Sequence, residues 1–344
     1  MLRKVKAMVL LVIPLLWSCQ HKSESDFPIK MNLTGEEIQV DAIIKPGPME
    51  IHDNLLLKER DYDAETAIRI FDLEDFSLLT NAINRGRGPG EVANPAGGVI
   101  DKTNNIYWLT DWGKNCIHKF YIDSLLADQG YKATSSFPID KSWIPTMNMF
   151  YLPSGYIGFT SVMLQKNLVS FMDLNGNLVD SMAIPNKVYP DIWKDMGYSD
   201  NPLICNYVPE YDRMVIASRH ENKISVIEMD GTPVFQKEDI PDASKEIHAG
   251  SWDGTFYTVH ADNTYIYMVY IGRKMSEYSA ELGKNVIHYP NRLLVIDWEG
   301  NFRYDITLDH GIIFATLDTK RKRMICDAED VDNYLVSYDL SALY

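Results

Sequence analysis

One unit recurs six times along the 344-residue chain, and it constrains the fold more than any other feature. It consists of a polar residue, usually Asn, then an alternating apolar strand, then an acid six positions on, then a turn. The copies are Thr66 to Asp72, Asn115 to Tyr121, Asn167 to Asp173, Asn222 to Glu228, Asn291 to Asp297 and Asn333 to Asp339. Tyr121 replaces the acid in the second. Their starts lie 49, 52, 55, 69 and 42 residues apart. Short apolar runs precede the copies, as in residues 105–110, 155–161, 213–218 and 254–260, and return strands follow, as in 177–184 and 301–308. Each unit thus holds about four strands separated by turns, the pattern of an antiparallel sheet. Four strands per unit, six times over, predict an all-β, six-bladed β-propeller. A TIM barrel would need helical spacers, which are missing. The 20 Tyr, 12 Phe and 7 Trp supply the large flat side chains that packed sheets use.

The last unit stops at Tyr344 after its third strand. A strand within 36–44, ending in the run Ile38 to Ile44, is expected to supply the fourth and close the ring. The propeller then spans 36–344. The recurrent Asn and acid read as turn and cap residues, because Asx side chains bond nearby backbone amides.

Arg3, Lys4 and Lys6 precede an apolar run over 7–17, too short to span a bilayer as a helix but suited to a secretory signal. It ends in Leu16, Trp17, Ser18 and Cys19, which resembles the lipobox of bacterial lipoproteins. That resemblance implies a signal peptide over 1–18, lipidation at Cys19, and contact with a membrane through the lipid. Gln20, in place of the Asp of inner-membrane retention, points to the outer membrane of the cell envelope. Residues 19–35 are expected to form the lipidated tether. Loss of 1–18 removes three positive charges from a net −15 and leaves −18. Such a field repels phosphate backbones, so no nucleic acid is expected as a partner. Cys116, Cys205 and Cys326 remain, an odd number without C-x-x-C spacing, and are read as small buried thiols.

Gly86-Arg87-Gly88-Pro89-Gly90-Glu91-Val92, Pro95, Gly98 to Asp101, Asn105 to Tyr107, Asp111 and Asn115 to Phe120 together resemble one NHL repeat. With the lipobox and the length, the chain looks like the TolB-like, six-bladed propeller lipoproteins of Bacteroides and its relatives. A phosphate cradle would need a helix after the glycines, and residues 92–98 cannot hold one. The segment therefore reads as a turn between blades, with Arg87 and Glu91 placed to pair or to cap it.

Propeller loops alternate between two faces, so the loops before the six copies share one face. They carry Asp61, Asp111, Trp112, Lys114, Arg219, His220, Glu221, Arg273, His288 and Asp330, the candidate ligand-binding residues. No H-E-x-x-H, G-x-S-x-G or Walker pattern occurs. The expected function is non-catalytic: a binding or scaffold protein for a protein, peptide or glycan. No cofactor is required by this reading, although calcium could sit among Asp61, Asp111, Glu221 and Asp330. The alternative that the resemblance brings in is a calcium- or zinc-dependent propeller hydrolase or lyase of the lactonase or amidating-lyase type. Zinc would fall to His220, His260 and His288. The long loop from Ile271 to Asn291 is expected to fold a short helix over a pocket rimmed by Trp112, Arg219, His220 and Asp330.

Overall fold

A computed structural model describes residues 28–41, 44–59, 65–139, 148–161, 166–189, 203–219, 222–238, 240, 256–272, 280 and 288–344. They form six small sheets in a ring, a six-bladed propeller. Blade one is built from Met49–His52, Leu55–Glu59, Thr66–Asp72 and Leu78–Asn84, paired in chain order. Blade two follows with Pro95–Asp101, Ile106–Asp111, Cys116–Tyr121 and Ser135–Pro138. Blades three, four and five repeat the meander, and in all six the recurrent unit of the sequence is the third strand. The first strand of every blade touches the first strands of both neighbours, which makes the ring continuous.

The blades hold together because both faces of every sheet are apolar. In the blade-five strand Arg292–Asp297, Leu293 and Val295 enter the core shared with blade six, while Leu294 and Ile296 enter the core shared with blade four. Successive strand residues point to opposite faces, so one unbroken apolar run feeds two cores. Among the described residues six such cores occur, one at each junction between neighbouring blades.

The N-terminal segment closes the ring as expected, with a shorter ladder. Glu36 and Glu37 pair antiparallel with Ser337 and Val336 of blade six, and the Ile38 amide donates to the Leu335 carbonyl. Asn333 and Tyr334 have positive φ and turn the partner strand away, so pairing stops there. Ile38 and Ile44 are buried instead in the core between blades six and one. The tether expected over 19–35 is structured at its end: Ile29–Leu33 runs parallel to Phe302–Leu308 and gives blade five a fifth strand.

The recurrent acids cap turns. Asp72, Asp173, Asp297 and Asp339 each accept a backbone amide two residues on. At Tyr121, where the acid is missing, the chain enters the helix Ile122–Ala127 instead of a tight turn, burying Ile122 and Leu125 against blade one. The helix expected within 276–283 lies, apart from the helical and exposed Ala280, outside the described residues, and so does the lid.

Candidate functional site

The loop that follows the second strand and the loop that leads into the first emerge on one face, and in blade two they are locked to each other. Asp111 ends the strand Ile106–Asp111 with its carboxylate fully buried. Its Oδ1 accepts the amides of Asn94 at 2.9 Å, Gly113 at 2.9 Å and Lys114 at 3.2 Å, and its Oδ2 accepts Ala93 N at 2.7 Å. Lys114 Nζ donates to the carbonyls of Gly88 at 2.7 Å and Glu91 at 2.6 Å. Glu91 Oε2 accepts the Gly88 amide at 2.8 Å, so the glycine-rich segment is a capped turn. Its oxygen stands where a Cβ on Gly86 or Gly88 would have to go.

Strand register adds three side chains to this frame. Cys116 lies directly opposite Asp111, and His118, two residues on and hence on the same face, lies opposite Ser136. His118 Nε2 is 3.3 Å from Asp111 Oδ2 and 3.3 Å from Cys116 Sγ, and its Nδ1 is 2.7 Å from Ser136 Oγ. The carboxylate orients the ring by accepting Nε2–H, which leaves Nδ1 to accept the Ser136 hydroxyl. Burial works against the Asp111 anion, but the His118 hydrogen bond and the amides of Ala93 and Asn94 outweigh it and hold the group at about 2. Burial, helped by the Asp111 charge, pushes the Cys116 thiol up to about 11. Above them opens a cavity of about 490 Å³ lined by Arg87, Gly88, Pro89, Gly90, Gly113, Lys114, Cys116, His118 and Ser136. Among the described residues this is the one cluster whose His, Cys and carboxylate ligand atoms all lie within 4.8 Å of one another.

The candidate residues from the sequence are therefore only partly brought together. Lys114 lines the blade-two cavity, Asp111 lies buried beneath it against His118 and Cys116, and Trp112, next in the chain to the lining residue Gly113, is 39% exposed. Arg219 is half-buried near Tyr257; burial depresses the affinity of its guanidinium for its proton, and Tyr257 acts in the opposite sense. His288 is buried, with Nδ1 2.9 Å from Glu329 Oε1, in a brace where Glu329 also accepts the Tyr289 amide. Asp330 is exposed at a positive φ in blade six. His260 is held down to about 4 by burial, against a backbone hydrogen bond at Ala315. Asp61, His220, Glu221, Arg273 and Cys19 lie outside the described residues. The sequence does not single out His118 or Ser136; Cys116 is a free, buried thiol, as expected, and it also lines the cavity. The available signal was Asp111 followed by Cys-x-His at the start of the next strand, since residues two apart on a strand share a face.

No protein-family model and no curated protein matches the chain. Two solved structures from Bacteroides share its fold. One, from Bacteroides fragilis NCTC 9343 and described as an exported protein, is 12% identical, with 90% of this chain and 98% of that one covered at a TM-score of 0.59. The other, a member of the DUF4221 family from Bacteroides vulgatus ATCC 8482, is 9% identical, with 90% and 92% covered at 0.57. At such identities the likeness is one of fold.

Proposed function

We propose that this chain is an exported propeller lipoprotein, anchored through Cys19 at the outer membrane, whose loop face binds a protein, peptide or glycan without catalysing a reaction. The signal segment and lipobox support the export and the anchor, and the Bacteroides fragilis neighbour described as exported is in keeping with them. The glycine-rich lead-in to blade two supports an NHL-like, TolB-like relationship.

One observation carries the binding role. Lys114 and His288 brace carbonyls and a carboxylate, and Trp112, 39% exposed, directly precedes Gly113, which lines an open, glycine-lined cavity. An exposed aromatic next to a concave site is the usual contact for a peptide or a sugar ring. The test is capture of envelope proteins and glycans on the immobilised chain and on Trp112→Ala. Selective loss in the variant, at an unchanged melting temperature, supports the reading; equal capture removes it. Palmitate labelling that disappears in Cys19→Ala, together with fractionation of the labelled chain with the outer membrane, tests the anchor.

A further inference from the structure

We infer that Asp111, Cys116 and His118 form a zinc site at the floor of the blade-two cavity. Asp111 and Cys116 face each other across the ladder, and His118 follows on the same side of its strand. The pleat therefore delivers one oxygen, one sulfur and one nitrogen to a common point.

The distances suit a cation. Nε2 to Oδ2 and Nε2 to Sγ are both 3.3 Å, and all three ligand atoms lie within 4.8 Å of one another. Zinc bonds of about 2.0 to 2.3 Å at tetrahedral angles put ligand atoms roughly 3.3 to 3.8 Å apart, so small side-chain adjustments complete the triangle. The donor set selects the metal. Imidazole with thiolate favours zinc over calcium or magnesium, which take all-oxygen shells. A thiolate and a carboxylate also neutralise a divalent ion, which matters where Asp111, Cys116 and His118 are all buried.

The surroundings are those of a built site. Asp111 Oδ1 is held by three backbone amides, and the Oδ2 lone pair not used by Ala93, which accepts Nε2–H, turns to the ion when that proton leaves. Ser136 Oγ, 2.7 Å from Nδ1, can accept a hydrogen bond from the Nδ1–H that forms once Nε2 binds metal. Proton balance is simple: the Cys116 thiol gives its proton to solvent, and the Nε2 proton is replaced by one on Nδ1. Three protein ligands leave a fourth position, and Cys116 and His118 both line the cavity, so that position falls to a water or to an oxygen of a bound ligand.

The test uses the full chain carrying Cys19→Ser, stripped with chelator and dialysed against zinc or cobalt chloride alone. The expected result is one metal per chain and a thiolate-to-cobalt charge-transfer band. Cys116→Ser should abolish the band, His118→Ala should lower zinc affinity at least tenfold, and Ser136→Ala should lower it about tenfold as an outer-shell change. Cys205→Ser should leave all three readings unchanged. Absence of the band in folded protein, or a band that survives Cys116→Ser, overturns the site. Because the metal is measured without a partner, this failure is distinct from failure of partner capture by Trp112.

Discussion

Lys58 in the second strand of blade one and Asp327 in the second strand of blade six form a buried ion pair, Nζ to Oδ1 2.7 Å, that ties the first blade to the last. Gly47 completes it: its carbonyl accepts from Nζ at 3.2 Å and its amide donates to Asp327 Oδ2 at 2.8 Å. Burial lowers the proton affinity of the lysine and raises that of the aspartate, and each partner opposes the shift in the other. Removal of one partner strands a buried charge, so Lys58→Met should cost about 3 to 5 kcal/mol. Lys58→Met with Asp327→Leu should recover most of that loss. Guanidinium unfolding midpoints of the three proteins check both expectations.

Glu59 titrates near neutrality. Burial pushes its carboxyl up to about 7, against the pull of the Tyr107 hydroxyl at 3.2 Å, the Gly97 amide and the charges of Arg85 and Lys58. An ordinary glutamate carboxyl titrates at 4.5, so between 4.5 and about 7 the folded state holds a proton that the unfolded chain has released. Stability is therefore greatest below the lower value and falls as pH rises through the window, by about 3 kcal/mol for this group. Glu59→Gln should remove this group's share of the slope, leaving that of Glu50, whose carboxyl burial likewise pushes up to about 7, and should exceed the parent in stability at pH 8. Denaturant midpoints across the window, for both proteins, measure it.

Ring closure by the N-terminal strands should be visible as stability. Truncation to Ile44 removes Ile29–Leu33 and Glu36–Glu37 and bares the edges of blades five and six, so the melting temperature should fall. Truncation to Phe27 should leave it unchanged. Between the two paired segments, Gly35 donates to the Asp309 carboxylate at 3.0 Å, and a Cβ there would collide with Val336 Cγ1. Gly35→Val should cost about 1 to 3 kcal/mol by overpacking.

The turn beside the cavity should depend on Glu91. Glu91→Ala removes the acceptor of the Gly88 amide and vacates the space that Gly86 and Gly88 leave for it. A lost charge-assisted hydrogen bond of this kind is worth about 1.5 to 3 kcal/mol. Limited proteolysis within 86–90 should accelerate, while Glu91→Gln, which keeps an acceptor oxygen, should behave close to the parent.

Much of the architecture was legible in the sequence because it is local and periodic. The six third strands, the capping role of Asp72, Asp173, Asp297 and Asp339, and the capped turn at Gly86 to Gly90 all depend on residues a few positions apart. Closure by residues 36–44 was legible too, from a final unit one strand short; its small ladder was not, because the turn at Asn333 and Tyr334 decides where pairing ends. The fifth strand of blade five also escaped notice, since Ile29–Leu33 pairs with a partner more than 270 residues away.

Sequence alone determined the class of fold, its six-fold repeat and the face on which the loops gather, because strand period and turn chemistry act over a handful of residues. Tertiary structure decided which residues meet. A run such as Leu293 to Ile296 is apolar at every position, so only the neighbouring blades assign each side chain to one core or the other. Asp111, Cys116, His118 and Ser136 become one cluster only through register across three strands, and Lys58 finds Asp327 only when the ring closes. These contacts are set by the packing of whole sheets, and no short-range pattern encodes them.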